Sequence, residues 1–513
     1  MAVTYTKRYE KEDAPRIGVV MNSIGAFYEE GKQLGEQAFI KLLDECKEKG
    51  IIAADSIIYP GRVFGAHDAW KIVDEFSGAK LDAIVIFNSA FPCGHLLPVI
   101  SQAPHLRNLP IILAAYEEPN EPLGLHDWAT NAVCGNDMNM HDALYMKRYV
   151  RYLAGAPGSE AFDNEFAMLM NVYRVVRKLS RVYLGRFGDG PGGFHSATGD
   201  QLLFARIFGL IVETVDLLRV YRVYQDMATE GTAGKASFTE EDVQKTVAEF
   251  KAGRINLVKD DEMLYRVARF YHALIAICKA EGFNVASLRC WPEISEPPLQ
   301  VAGCLAIGWA TAKRDVDAFA CEGDWPGAVA QAIAGWLSGK PAAFVDFVDW
   351  TAKRDIVKLA HCGIGLCGYM APNDPKVMAQ IEREGGVSEE LRAKILAGEV
   401  VVNDGLDTHS HMHDLAGRHI GQLMYGPKTG VDLVQTPEGG LQMLAFSGES
   451  SEETNQGVLY CACDMRVKNY QKLDEIKRTR GFSHHLIAAL DNIVPELRDL
   501  CAFYGIDFVT PDD

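Results

Sequence analysis

Short apolar runs alternate with amphipathic stretches through the first part of the chain. RIGVVM at 16–21, Ile51 to Tyr59, LDAIVIFN at 81–88 and LPIILAAY at 109–116 read as strands. Phe27 to Lys47 and Ala69 to Phe76 carry helical periodicity between them. Apolar strands alternating with helices predict βαβ units around a parallel sheet. Ligands of such sheets collect at the carboxyl ends of the strands. Asn88, Phe91 and Glu117 to Asn120 are therefore candidate rim residues.

The pattern restarts after a helical stretch from Asp163 to Leu179. Val182 to Phe187 and LIVETVD at 210–216 read as strands, and Phe283 to Trp291 as a third. GDGPGGFHSATGD at 188–200 lacks both G-x-G-x-x-G and G-K-[ST] spacing, so it reads as a rim loop rather than a phosphate cradle. Residues 238–266 are charged and helical, and a helix at Val301 to Lys313 leads into the most informative stretch, Ala320 to Trp350. There an apolar run ends at Cys321 and is followed by Glu322 and Asp324. A small-residue helix runs from Ala328 to Leu337, and a second apolar run, Ala342 to Val348, encloses Asp346.

Beyond Trp350 the runs shorten and Gly, Pro and Asn separate them, which predicts a barrel or sandwich. Residues 387–398 read as a short helix, and Gly481 to Val509 as a helix followed by a strand, with His484 and His485 at its entry. The expected fold is α/β: two Rossmann-like parallel-sheet domains, 1–165 and 166–350, and a β-barrel-like domain, 351–513.

Composition narrows the function classes. At 513 residues the chain exceeds one core. Its net charge of −18 argues against a nucleic-acid partner. No apolar run approaches a membrane span, and the charged start has no signal-peptide core. Twelve cysteines without a C-x-x-C read as buried thiols of a cytoplasmic protein.

Glu322 and Asp346 stand where the local pattern asks for apolar side chains, and a charge buried there needs a cation or a partner. With His361 and His485 they form a ligand set suited to Mn²⁺, Mg²⁺ or Co²⁺. Each also has a plain structural reading: Glu322 at a helix start, Asp346 in an ion pair, His361 as a satisfied core histidine. Thr408 to His413 alternates histidines at 409, 411 and 413, a zinc-like pattern. Trp291, Trp325 and Trp350 lie near the acidic residues, as sugar-stacking faces or as core.

CEGDWPGAVAQAIAGWLSGKPAAFVDFVDW, VKLAHCG and GFSHHLIAALDN resemble the L-fucose isomerase and L-arabinose isomerase superfamily. The resemblance implies a Mn²⁺-dependent aldose–ketose isomerase working through a cis-enediol, with Co²⁺ or Mg²⁺ as alternative ions. By that match Glu322 and Asp346 are the acid/base pair, and His485, rather than His484, joins His361 as a ligand. Phe91, Trp291 and Trp325 would pack on the open-chain sugar, and Arg289 is a rim contact for an anionic substituent. A homo-oligomer, commonly a hexamer, is implied as well. Asp346 follows the fucose pattern and His361 the arabinose pattern, which leaves the sugar open. Two rival readings are a non-catalytic sugar sensor and a zinc hydrolase centred on His409, His411 and His413.

Overall fold

A computed structural model of the protein describes residues 13–117, 130–258, 260–350, 355–371, 379, 389–409, 415–455 and 461–513. The chain divides into two compact units, residues 1–178 with 496–505, and residues 179–495 with 506–513.

The first unit is built on five strands: β1 (Ile17–Asn22), β2 (Ile57–Val63), β3 (Ala83–Asn88), β4 (Ile111–Tyr116) and β5 (Arg151–Gly155). They pair in the order β2-β1-β3-β4-β5, and every pairing is parallel. β1 and β3 are buried along their whole length, as strands covered on both faces by helices must be. The helix Glu29–Lys49 ends where Gly50 turns left-handed (φ 71°), and its Phe39 stacks on Phe87 at 4.3 Å. Of the rim candidates, Asn88 is buried and donates to Asn136 at 2.6 Å. Phe91 stacks on Phe27, and positions 118–120 lie outside the described residues.

The second unit begins with β6 (Tyr183–Phe187) and β7 (Ile211–Val215), then a hairpin of β8 (Ala228–Gly231) and β9 (Gly234–Ser237), then β10 (Arg254–Asn256). β11 (Val285–Leu288) and β12 (Ala318–Ala320) join β6 and β7 in a parallel sheet ordered β12-β11-β6-β7. The remaining strands are β13 (Ala343–Trp350), β14 (Ile356–His361), β15 (Val401–His409), β16 (Leu415–Gln422), β17 (Gly426–Gln435), β18 (Leu441–Ser450), β19 (Cys461–Ala462), β20 (Met465–Val467), β21 (His485–Ala489) and β22 (Asp507–Val509). With β10 they form one mixed sheet, in which β20 bonds to both β18 and β14. Its apolar face buries Ala343, Val345, Leu359, Phe446, Leu486 and their neighbours.

The strand–helix–strand read at Ala320 to Trp350 is present, as β12, the helix Trp325–Ser338 and β13, but its two strands lie in different sheets. The C-terminal reading needs correction. His485 opens a strand, β21, and the helix comes later, at Val494–Tyr504. The LIAA run is as apolar as a helix core, yet it is short and enters between β13 and β17, which supply both sets of ladder bonds. His411 and His413 lie outside the described residues, as does the side chain of His409.

Candidate functional site

The site sits at the carboxyl end of the second parallel sheet, where it meets the mixed sheet. Three connections leave this edge in turn. The Gly-rich segment follows β6, Arg289 and Trp291 follow β11, and Glu322 follows β12. Glu322 and Gly323 both take left-handed backbone angles (φ 55° and 67°). Glycine is required at 323, where a Cβ would stand 2.8 Å from the backbone of Gly190. Glu322 has no such excuse, and a strained non-glycine residue is a frequent mark of a functional site. The turn directs Glu322 inward and leaves Asp324 at the N-cap of the helix Trp325–Ser338, where it accepts from the Gly327 N–H at 2.7 Å.

The mixed sheet supplies the other side. β13 and β21 are antiparallel, and Asp346 is the direct cross-strand partner of His485. On the other flank of β13, Asp346 faces Ala360 of β14, one residue from His361. His485 Nε2 lies 2.9 Å from Glu322 Oε2 and 3.7 Å from Asp346 Oδ1. Its Nδ1 lies 2.8 Å from Asp324 Oδ2. His361 approaches Cys362 Sγ through Nδ1 at 3.4 Å, and its buried Nε2 has no hydrogen-bond partner among the described residues. Ligand atoms of Asp346, His361 and His485 lie within 4.8 Å of one another, as do those of Glu322, His484 and His485. The structure thus brings Glu322, Asp346, His361 and His485 together.

Charge explains the titration of the group. Burial by itself pushes the Glu322 carboxyl up, but the His485 hydrogen bond and the nearby imidazoles hold it below its ordinary value. Burial dominates at Asp346 and raises its carboxyl. Burial opposes charge on His485, yet its bonds to Asp324 and Glu322 carry it up to about 9. His361 rises well above its ordinary value against the same burial, through Cys362 and Asp346. The carboxylates beside His485 and His361 favour positive charge there. A divalent cation would answer the same demand.

The remaining predicted residues fall differently. Trp291 is half-buried and donates its indole N–H to Glu322 Oε1 at 3.3 Å. Arg289 is engaged by Glu293 at 2.6 Å and by the Gly190 carbonyl at 3.1 Å. Trp325 is fully buried, 4.6 Å from the Phe204 ring. Phe91 belongs to the first unit. The sequence marks Asp324 only as an acidic residue after Cys321, and its place behind His485 emerges from the structure. Two residues at the site escaped the sequence reading, Phe194 and Ser196, and both come from the rim loop. Phe194 packs edge-on against Trp291 and His484, and Ser196 Oγ lies 3.2 Å from His484 Nδ1. No local signal marks these two.

Residues 18–180 match the family model described as the N-terminal domain of fucose/sulfoquinovose isomerase. A sulfoquinovose isomerase of Alkalicoccus urumqiensis is 26% identical over 285 residues, 55% of this chain and 60% of that protein. The chain is related to the fucose isomerase-like sugar isomerases. Another sulfoquinovose isomerase, of Priestia megaterium (strain ATCC 12872 / QMB1551), is 22% identical over 331 residues, 64% of this chain and 70% of that protein. A third, of Clostridium sp. (strain MSTE9), is 26% identical over 220 residues, 42% and 45% of the two lengths. The matched residues fall almost wholly in the first unit, whereas the carboxylate–histidine cluster lies in the second. Among the described residues, no helix is long and apolar enough to cross a membrane.

Proposed function

We propose that the protein is a metal-dependent aldose–ketose isomerase acting on an open-chain sugar. The observation that carries this reading is the convergence of Glu322, Asp346 and His361 from different chain segments around His485. The donor set fits a hard to borderline divalent cation, with Mn²⁺ first and Co²⁺ or Mg²⁺ as alternatives. The unpartnered, buried Nε2 of His361 supports the fit, since such a nitrogen is costly unless something binds it. Glu322, Asp346, His361 and His485 would hold the ion. Bound there, it supplies Lewis acidity toward the carbonyl and hydroxyl oxygens of the sugar.

The residues divide the proton work by their engagement. Both oxygens of Glu322 are occupied, one by Trp291 and one by His485. Asp346 has no described contact with His485 closer than 3.7 Å and keeps an oxygen for the substrate. We therefore assign Asp346 to take the proton from C2 and return it at C1, through a cis-enediol. Glu322 manages the hydroxyl proton. Trp291 and Phe194 line the sugar's approach, while Trp325 supports the helix behind it. Arg289 reaches an anionic substituent only by exchanging its bond to Glu293. The ring of pairings through β13, β14, β17, β18, β20 and β21 is read as barrel-like, and the enzyme as a cytoplasmic homo-oligomer.

The test is a panel of aldoses incubated with Mn²⁺-loaded protein, with ketose products read by NMR and bound metal by elemental analysis. Sulfoquinovose, the sugar in the relatives' names, heads the panel, followed by fucose, D-arabinose and L-arabinose. Ketose formation with bound metal supports the isomerase. Sugar binding without turnover or metal supports a sensor instead.

A further inference from the structure

A second cluster of ligating side chains lies one step along the mixed sheet. Ligand atoms of Cys367, Asp404 and His419 lie within 4.8 Å of one another, and all three residues are buried. Asp404 and His419 come from the antiparallel neighbours β15 and β16, and His419 Nε2 lies 2.6 Å from Asp404 Oδ1. The segment after β14 brings Cys367 to them, and it is pinned there by the Gly368 N–H, which donates to Asp404 Oδ2 at 2.9 Å. Arg254 of β10 also donates to Asp404, at 2.8 Å. The His419 ring is held tightly. Cys461 donates its S–H to the His419 carbonyl at 2.6 Å, and a Cβ on Gly365 would stand 2.0 Å from Nδ1.

We propose that Cys367, Asp404 and His419 form a second, structural metal site that takes a borderline divalent cation of the Zn²⁺ class. One thiolate and one carboxylate bring two negative charges to a divalent ion, a neutral imidazole completes the set, and Arg254 shares the Asp404 carboxylate. The thiolate separates this site from the first, whose carboxylates and imidazoles favour harder ions. On binding, the Cys367 thiol and the His419 imidazolium each release a proton to solvent, which frees Nε2 for the ion, and Asp404 gives up its bond to His419. The location says what the ion would hold in place. Cys461 of β19 pairs with His361 of β14 on one side and with Gly421 of β16 on the other. An ion tying β15, β16 and the segment after β14 would therefore fix the strand neighbours of His361. Buried sites of this kind acquire metal as the chain folds.

The test uses full-length protein expressed in cobalt-supplemented medium, with Co²⁺ as the probe. A thiolate-to-cobalt absorption band is expected in wild type and in Glu322→Gln, and should disappear in Cys367→Ser. His419→Gln should weaken Zn²⁺ binding by about 100-fold in competition with a chromophoric chelator. No thiolate band in wild type, or a band that survives Cys367→Ser, overturns the proposal. Should Glu322→Gln retain as much cobalt as wild type while the thiolate band behaves as expected, the first site fails and this one stands.

Discussion

Asp324 Oδ2 lies 2.8 Å from Nδ1 of His485, across 161 residues of sequence. The same carboxylate caps the helix Trp325–Ser338 through its other oxygen. One side chain therefore sets the start of a helix and the orientation of an imidazole, whose Nε2 is left facing Glu322 and Asp346. A carboxylate behind a ligating histidine fixes its ring and raises its basicity.

Substitutions at Asp324 separate these two tasks. Asp324→Asn keeps a capping oxygen and should change the melting temperature little, yet weaken Mn²⁺ binding roughly 10- to 100-fold. Asp324→Ala should lose about 1 kcal/mol of stability in addition. Calorimetric titration with Mn²⁺ and thermal denaturation measure the two effects. Unchanged Mn²⁺ affinity in Asp324→Asn would refute the positioning role.

Glu322→Gln and Asp346→Asn should each lower isomerisation by about 10²-fold or more while the protein stays folded. NMR of ketose formation and circular dichroism read the two quantities. Near-wild-type turnover in either variant removes that residue from the chemistry.

The two tryptophans should behave oppositely. Trp325→Ala empties a fully buried position and should cost about 3–5 kcal/mol, seen in denaturant unfolding. Trp291→Phe keeps a ring but removes the donor to Glu322, so it should leave stability nearly unchanged and lower kcat/KM roughly tenfold. A stable Trp325→Ala protein would contradict its place in the core.

Asp432 gives the stability a pH dependence. Burial raises its carboxyl from 3.8 to about 7, against the pull of Lys477, and its Oδ2 has no hydrogen-bond partner among the described residues. Between these values the folded protein holds a proton that the unfolded chain has released, so stability falls as pH rises through that window. Asp432→Asn should therefore stabilise the protein above about pH 7, by on the order of 4 kcal/mol, and have no effect near pH 3. Urea unfolding at the two pH values checks it, and an equal effect at both would exclude the linkage.

Much of this molecule was legible in its residues. Apolar runs such as LDAIVIFN and LPIILAAY marked strands because a strand buried on both faces leaves no room for polar side chains. Glu322 and Asp346 stood out for the same reason reversed, as charges in apolar surroundings. GFSHHLIAALDN was harder, since a short apolar run satisfies helix and strand alike, and only the flanking β13 and β17 make it a strand.

The sequence by itself determined the alternation of elements and marked Glu322 and Asp346, because burial imposes local, readable patterns, while the choice of His361 and His485 beside them rested on the family resemblance. Tertiary structure decided what those ligands meet. The register that sets Asp346 opposite His485, and the approach of Asp324, Phe194 and Ser196, arise from contacts between segments far apart in the chain. Local periodicity carries no record of such pairings, because hydrogen-bond partners across a sheet are chosen by the strands that happen to lie beside them.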